Sequence, residues 1–325
     1  MSFPRKGFDL IQVHGATHAA HAEKGGKRDM MKRYVRLLLA LALVCHMTAL
    51  SGSAEGLRVS YLGPEGTYTE EAARFFFSDG AAFDPMQTVN DAIEAMLSGR
   101  ADYAVIPQEN TLGGPVVNYV DALIASETAC VAGEVVLPIN QTLMGVPGAT
   151  LEDIRTVCSH AQGLTQSAAW RAENLPDAAA EEMASTAAAA SYVAQQQDRT
   201  IAAVAAPGAA ALYGLEVLAE NVQITDTNRT RFYVLTQRPL EDEGLTHAVL
   251  VATCDADRID DIIVELHDAG LELVCLHDRP EKSRLGRYHY VIELENPQGI
   301  TAEQRDVIRA LEDVRFAGCF DAVEK

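Results

Sequence analysis

A hydroxyl and a guanidinium lie side by side at Thr230 and Arg231, within the sequence DTNRTRF of residues 226–232. The apolar run that follows, Phe232 to Leu235, predicts a buried strand with these two side chains at its entrance. Such a pair suits a small anionic ligand, because Arg offers a planar fork to a carboxylate. Polar residues before a strand are also ordinary loop chemistry, and this run alone does not separate the two interpretations.

Four further segments carry polar residues at the edges of predicted strands and helices. They are GPEGTYT (63–69), PQENT (107–111), SHAQGLTQ (159–166) and STAAAA (185–190). In this order, and with NRTRF (228–232), they resemble the signatures GPxGTFT, PxENS, SHxQxLxQ, STAxAA and NxTRF of the prephenate dehydratase family. The resemblance covers about residues 57–238.

The resemblance implies that the chain converts prephenate to phenylpyruvate in phenylalanine biosynthesis, by losing water and carbon dioxide without a cofactor or metal. It makes Thr230 the residue most closely tied to activity, as a hydrogen-bond donor to the departing oxygen. Glu109 and Asn110 are also implied to be catalytic. Arg231 either faces a carboxylate or braces the cleft, and His160 ranks below Thr230 as a general acid.

The same matches supply candidates for substrate binding, through hydroxyl groups and the free N–H groups at helix starts. They are Gly66, Thr67, Thr111, Ser159, Gln162, Gln166, Ser185, Thr186, Ala187, Asn228 and Phe232. Thr111 stands where the family pattern has Ser, which retains the hydroxyl. Ser159, His160 and Ser185 could also be ordinary helix caps, and Phe232 is expected in the core rather than at the ligand.

Strands that alternate with helices predict an α/β fold for residues 55–239. The resemblance adds a catalytic unit of two lobes, similar to type 2 periplasmic binding proteins, with the active site in the cleft between them. One lobe is expected from residues 57–129 and 206–238, and the other from 130–205. The predicted strands include 103–106, ended by Pro107, and 134–144.

Residues 245–325 predict the element order βαββαβ, which is the ferredoxin-like arrangement. This region resembles the regulatory ACT domain, which implies a homodimer or homotetramer. Asp257-Arg258-Ile259-Asp260 replaces the family's Gly-Ala-Leu motif, and His277-Asp278-Arg279-Pro280 replaces Glu-Ser-Arg-Pro. Asp278, Arg279 and Pro280 are the candidates for an allosteric site, and the replacements predict weak or absent feedback by phenylalanine.

The 325-residue chain has a net charge of −20, which disfavours nucleic acid and anionic membranes as partners. Its N-terminus has a different character. Met30 to Arg36 is basic, Leu37 to Val44 is continuously apolar, and Ser51 to Ala54 is small. This three-part pattern over residues 1–54 predicts a secretory signal cleaved near Ala54 and a periplasmic protein. An uncleaved anchor and a buried helix are the alternative interpretations of the apolar run. Without use of the signal the protein would stay in the cytoplasm.

Two alternative functions remain open at this point. Arogenate dehydratase acts on a substrate that differs from prephenate by an amino group on the side chain, and the sequence does not separate the two. An exported protein that binds an aromatic acid without turnover is the second alternative. The dehydration signatures around Thr230, Asn110 and Gln162 favour an enzyme.

Overall fold

The computed structural model describes residues 56–77, 80–240, 242 and 244–325, and the predicted signal peptide lies outside them. The described residues form three β-sheets with helices packed on them. Among the helices of this part of the chain, none is long and apolar enough to cross a membrane.

The first sheet has seven strands. In chain order they are β1 (Arg58–Leu62), β2 (Ala82–Met86), β3 (Tyr103–Asn110), β4 (Gly114–Pro115), β5 (Cys130–Pro138), β11 (Arg229–Thr236) and β16 (Ala322–Glu324). Their spatial order is β16-β5-β11-β3-β1-β2, and β4 pairs with β3. Three helices accompany the sheet: α1 (Tyr68–Phe77), α2 (Val89–Leu97) and α3 (Val117–Ala125).

The second sheet has five strands, β6 (Thr142–Gly145), β7 (Thr156–Ser159), β8 (Ala179–Glu182), β9 (Ile201–Ala205) and β10 (Glu216–Ala219). They lie in the order β10-β6-β9-β7-β8. The helices of this part are α4 (Ala161–Gln166), α5 (Ala168–Asn174), α6 (Thr186–Gln196) and α7 (Pro207–Tyr213).

The chain crosses between the two sheets at 139–141 and again at 220–228. The predicted lobe boundaries at 130 and 206 are therefore corrected. β5 belongs to the first sheet because it pairs with β11, with Leu137 opposite Thr230. β10 belongs to the second sheet because it pairs with β6. The predicted strand 134–144 is two strands in different sheets.

β3 does not end at Pro107, as the sequence predicted, but continues to Asn110. In its pairing with β11, Pro107 lies opposite Phe232 and Glu109 opposite Arg231, so Gln108 is an extra, unpaired residue. Proline is tolerated inside a sheet at such a bulge, because the ladder is already interrupted there. β11 also begins at Arg229, so Thr230 and Arg231 lie inside the strand rather than at its entrance.

The third sheet confirms the predicted βαββαβ order. Its elements are β12 (His247–Asp255), α8 (Arg258–Asp268), β13 (Glu272–Pro280), β14 (Arg287–Glu295), α9 (Ala302–Ala310) and β15 (Val314–Phe320). The strands lie in the antiparallel order β13-β14-β12-β15. Alternate residues of β12 face different cores, because strand side chains alternate. Leu250 packs with the helices α8 and α9, whereas Val249 and Val251 pack with Tyr119 and Tyr233 of the first sheet's layer.

Close backbone contacts hold the third sheet on the first. Gly318 has φ +116°, and a Cβ there would lie 2.5 Å from the carbonyl oxygen of Val131, so β15 approaches β5 as only glycine permits. Arg315 donates to the carbonyl oxygens of Ala129 (2.9 Å) and Leu123 (3.0 Å). After β15 the chain returns to the first sheet as β16, parallel to β5.

A buried charged cluster lies at the same junction. The Nη2 atom of Arg231 is 2.5 Å from carboxylate oxygens of Glu134 on β5 and Glu293 on β14, and its Nη1 atom is 3.7 Å from Glu109. The hydroxyl of Tyr233 donates to Glu293 at 2.5 Å. Glu134 is 2% exposed and Glu293 is 0% exposed. Burial, with the negative charge of Glu293, raises the pKa of Glu134 to about 7, although Arg231 opposes this shift.

We expect Glu134 to make the folding stability of this protein depend on pH. Its pKa is higher in the folded chain than in the unfolded chain, so its protonated form favours folding. This contribution is complete below about pH 4 and is lost as the pH rises through about 7. The variant Glu134→Gln should therefore gain stability relative to the wild type between pH 5 and pH 8, by up to a few kcal/mol. Urea unfolding of both proteins at several pH values measures the difference.

Glu109→Gln is the matched control for this prediction. The carboxylate of Glu109 lies beside the guanidinium of Arg231, as that of Glu134 does, but about a third of the Glu109 side chain is exposed. We expect this variant to gain less stability than Glu134→Gln, because solvent screens an exposed charge. A difference between Glu134→Gln and the wild type that stays constant from pH 5 to pH 8 would contradict the assignment.

Candidate active site

A cavity of about 230 Å³ lies where the first and second sheets meet. Most of the residues in its wall are polar, and they come from α1, from the ends of β3, α4 and α6 and from the first crossing between the sheets. The lining residues are Tyr68, Asn110, Gln141, His160, Gln162, Gly163, Gln166, Ala184, Ser185 and Thr186. Six of the residues predicted for the site therefore converge here: Asn110, His160, Gln162, Gln166, Ser185 and Thr186.

Asn110 connects the cavity wall to Thr230. The bulge at Gln108 brings Asn110 opposite Thr230 in the sheet. The side-chain nitrogen of Asn110 donates to the Thr230 hydroxyl oxygen at 2.9 Å and to Asn228 Oδ1 at 2.8 Å. Thr230 is 9% exposed and lies one hydrogen bond behind the wall. Because its oxygen accepts from Asn110, its own hydrogen is left for another acceptor.

A hydrogen bond between Asn110 and Gln162 joins the two sheets across the cavity. Gln162 Nε2, at the start of α4, donates to Asn110 Oδ1 at 3.1 Å. The same oxygen accepts the backbone N–H groups of Leu112 (3.1 Å) and Gly113 (2.9 Å). Asn110 is therefore fixed from both sheets, and its orientation fixes that of Thr230. A closed network of this kind holds polar groups in place before a ligand arrives.

His160 and Ser159 differ in their access to the cavity. His160 caps α4, and its Nδ1 accepts the N–H of Gln162 at 3.3 Å, so the neutral ring carries its proton on Nε2. Ser159 is fully buried at the end of β7, where its hydroxyl donates to the Val204 carbonyl oxygen at 2.6 Å. The structure thus places Ser159 beneath Gly163 and away from the cavity wall.

The start of α6 provides hydrogen-bond donors at the other side of the cavity. Ser185 is its N-cap, and the Ser185 hydroxyl accepts the N–H of Ala188 at 2.9 Å. The N–H groups of Thr186 and Ala187 lie in the first turn, where a helix offers no internal acceptor. Ala187 is buried, so its contribution would come from its backbone. This arrangement can hold an anionic group.

Gly66 and Thr67 line a neighbouring cavity of about 730 Å³ instead. Tyr68 lines both cavities, and its hydroxyl donates to the Asn140 carbonyl oxygen at 2.6 Å. The N–H of Gly66 is already bound by Glu70 Oε2 at 2.6 Å. The smaller cavity is the better candidate site, because the predicted polar residues converge there and not in the larger one.

Arg231 and Glu109 lie on the opposite face of the first sheet from Thr230. Successive side chains on a strand point to opposite faces, so Thr230 and Arg231 cannot both face the cavity. The sequence prediction that placed Arg231 and Glu109 with the catalytic residues is therefore not what the structure shows. Arg231 instead has a structural role, because its contacts with Glu134 and Glu293 join the first sheet to the third.

The remaining predicted residues lie outside the cavity wall. Thr111 connects the end of β3 to the start of β11. Its hydroxyl accepts the N–H of Arg229 at 3.0 Å and donates to the Thr227 carbonyl oxygen at 3.2 Å. Phe232 is 2% exposed and packs in the core, as the sequence analysis expected. Asp278, Arg279 and Pro280 lie together on β13. Arg279 makes an ion pair with Asp121 of α3 at 2.6 Å.

Sequence analysis missed Gln141 and Tyr68. Gln141 lies in the cavity wall, at the point where the chain passes from β5 to β6. The sequence predicted a continuous strand over 134–144, which hid the polar pair Asn140-Gln141. The Tyr68 hydroxyl is an addition to the family pattern GPxGTFT, which has Phe at this position, and that difference was the available signal.

Comparison with known proteins identifies the family of this chain. The family model described as prephenate dehydratase matches residues 59–240. A prephenate dehydratase from Amycolatopsis methanolica is 37% identical over 278 residues, which cover 81% of this chain and 88% of that protein.

Two solved structures have the same fold over most of the chain. A prephenate dehydratase from Arthrobacter aurescens in complex with L-Phe has a TM-score of 0.72 and 28% identity, covering 82% of this chain and 90% of that one. GqqA, described as a novel type of quorum quenching acylase, has a TM-score of 0.72 and 27% identity, covering 82% and 98%. The extent of the family match and the 37% identity to a curated relative show that this chain belongs to the prephenate dehydratase family.

Proposed function

We propose that this protein is a prephenate dehydratase, a carbon-oxygen lyase that converts prephenate to phenylpyruvate. The observation that carries the proposal is the hydrogen-bonded chain Gln162–Asn110–Thr230, which spans the two sheets at the cavity. Membership of the family supplies the reaction. The geometry supplies a fixed hydroxyl donor behind the wall of a cleft lined mostly by polar residues.

The reaction needs a hydrogen-bond donor more than a strong acid or base. The ring carboxylate leaves as carbon dioxide, and the electron pair of the broken carbon–carbon bond forms the new double bond of the aromatic ring. The ring hydroxyl departs on the other side of the ring and takes a proton to become water. Thr230 has its hydrogen available for that oxygen, because Asn110 donates to the Thr230 oxygen. His160 Nε2 is the second donor at this wall.

The side-chain carboxylate of the substrate is not lost and needs a lasting partner. The first turn of α6 offers the N–H groups of Thr186 and Ala187, and the helix dipole favours an anion there. Binding the charge at this end leaves the ring free to face Asn110 and Thr230. The ring carboxylate, whose charge disappears in the reaction, gains least from a cationic partner. This agrees with the position of Arg231 on the other face of the sheet.

We further propose that the third sheet with α8 and α9 is an ACT domain, and that the protein is a homodimer or homotetramer. The ferredoxin-like order of strands supports the first proposal. β13 is an edge strand on which Leu273 and Val274 are exposed, as expected of a surface that pairs with a second copy. We retain the likeness of the catalytic unit to type 2 periplasmic binding proteins as a proposal, supported by its two sheets and two crossings.

Replacement of Thr230 tests the proposed reaction. We expect Thr230→Ala to lower kcat for prephenate by about 100-fold or more, because one donor to the leaving oxygen is lost. Thr230→Ser, the matched control, keeps the hydroxyl and should stay within about tenfold of the wild type. Phenylpyruvate formation measures both. Unchanged turnover by Thr230→Ala would remove the assigned role, and binding without turnover by the wild type would favour the binding-protein alternative.

Phenylalanine titration tests the predicted loss of feedback. Arg279 is already bound to Asp121, and Asp257 adds a negative charge before α8, so we expect no inhibition at micromolar phenylalanine. Turnover with added phenylalanine and calorimetry on the full chain check this expectation. Tight binding or micromolar inhibition would show that the replaced motifs still form a site.

The N-terminal sequence supports a proposal of export to the periplasm, with cleavage near Ala54. We expect protein recovered from the periplasm to have the intact mass of a chain that begins at Glu55. Leu39→Arg interrupts the apolar run and should keep the chain uncleaved. Recovery of uncleaved wild-type protein from the cytoplasm alone would contradict the proposal.

A further inference from the structure

Gln141 lies at the place where both crossings between the two sheets meet. It follows β5 and precedes β6, so it belongs to the first crossing. Its carbonyl oxygen accepts the N–H of Val222, and its N–H donates to Gln223 Oε1 at 2.8 Å, and both partners belong to the second crossing. The backbone of Gln141 is therefore held on both sides, which fixes where its side chain begins.

The side chain of Gln141 brings an amide to the cavity wall. It is 2% exposed, and its Nε2 donates to Gln166 Oε1 at 2.9 Å. Its Oε1 is buried and has no hydrogen-bond partner among the described residues. A buried acceptor without a partner destabilises a protein, because it has lost its water without replacement. A ligand that donates a hydrogen bond there recovers this loss on binding.

The partner of Gln141 makes this amide adaptable. Gln166 is an amide as well, so its end groups are also one donor and one acceptor. If both amides turn over together, the hydrogen bond between them is kept with its direction reversed. Gln141 then offers an N–H group to the cavity in place of an oxygen. The two glutamines can therefore bind a ligand group that donates a hydrogen bond or one that accepts it.

The other polar elements of the cavity have partners in the proposed reaction. Thr230, which Asn110 orients from the cavity wall, is assigned to the departing hydroxyl, and the start of α6 is assigned to the side-chain carboxylate. Two polar groups of the substrate are left, the ring carboxylate and the substituent on the carbon next to the side-chain carboxylate. The ring carboxylate leaves as carbon dioxide, so the substituent is the retained polar group that has no partner yet. The cavity holds about 230 Å³, so a ligand that fills it reaches most of the wall, including Gln141.

We propose that Gln141 is a specificity-determining residue whose side-chain amide binds this substituent. As an acceptor it binds the ammonium group of arogenate, and with both amides turned over it donates to the keto oxygen of prephenate. The inference rests on the proposed function, because it assigns the remaining polar group that the substrate of that reaction keeps. Gln166 acts as the positioning residue that supports both orientations.

Kinetics of the full chain with prephenate and arogenate in parallel test the proposal. Gln141→Glu leaves a negatively charged acceptor that repels the keto oxygen and attracts the ammonium group. We expect it to raise the ratio of kcat/KM for arogenate over prephenate at least about tenfold, chiefly through KM. Gln141→Met removes both polar ends and should raise KM for both substrates, by about tenfold each, with the ratio unchanged.

Gln298→Glu is the charge-matched control, since Gln298 is exposed on the turn between β14 and α9. It should leave both substrates within about threefold of the wild type. If the wild type turns over prephenate alone, the inhibition constant of arogenate against prephenate replaces its KM in the ratio. Circular dichroism and thermal unfolding confirm that each variant is folded.

The outcomes separate the two proposals. Absence of turnover of both substrates by the folded wild type contradicts the proposed function. Turnover by the wild type, with a ratio that Gln141→Glu changes by less than about threefold or that Gln298→Glu changes equally, overturns the role of Gln141 alone. An unchanged KM for both substrates in Gln141→Met overturns it as well, and does not depend on the charged variant.

Discussion

Strand β11 is the constraint on which the rest of the structure depends. It lies between β3 and β5 near the middle of the first sheet, and its residues alternate between two environments. Thr230 belongs to the cleft side with Asn110, whereas Arg231 and Tyr233 belong to the side that meets the third sheet. A change in register by one residue would exchange these side chains and disrupt both faces.

The two faces of β11 carry different polar groups, neutral ones on the cleft side and charged ones on the side of the third sheet. On the cleft side, Asn110 satisfies its amide with neutral partners and leaves the Thr230 hydrogen available. On the other side, buried carboxylates share the charge of Arg231. Burial and the negative charge of Glu293 raise the pKa of Glu134 there, and Arg231 opposes this rise. Arg231 thus joins the first sheet to the third through ion pairs with Glu134 and Glu293. The anion-binding role falls to backbone N–H groups at the start of α6, which carry no full charge to be buried.

The cleft lies beside the crossings between the sheets, and Gln141 of the first crossing is part of its wall. A chain that leaves one sheet and enters another has backbone groups without ladder partners, and side chains must satisfy them. Gln223 does so for Gln141, and Tyr68 does so for Asn140. These hydrogen bonds hold Gln141 and Tyr68, which both line the cavity, in place. The hydrogen bond between Gln162 and Asn110 makes the arrangement of the two sheets part of the geometry around Thr230.

The sequence by itself determined the family, the α/β class, the βαββαβ order of residues 245–325 and most of the cavity residues. These follow from local patterns, since caps such as Ser185 and signatures such as SHAQGLTQ are read within a few residues. It did not determine that β3 continues through Pro107, because the bulge that permits this forms only against β11. It also did not determine that β5 joins the first sheet. Tertiary structure decided three further features: the separation of Arg231 from Thr230, the burial of Ser159 and the position of Gln141. Each depends on contacts between strands that are distant in the sequence.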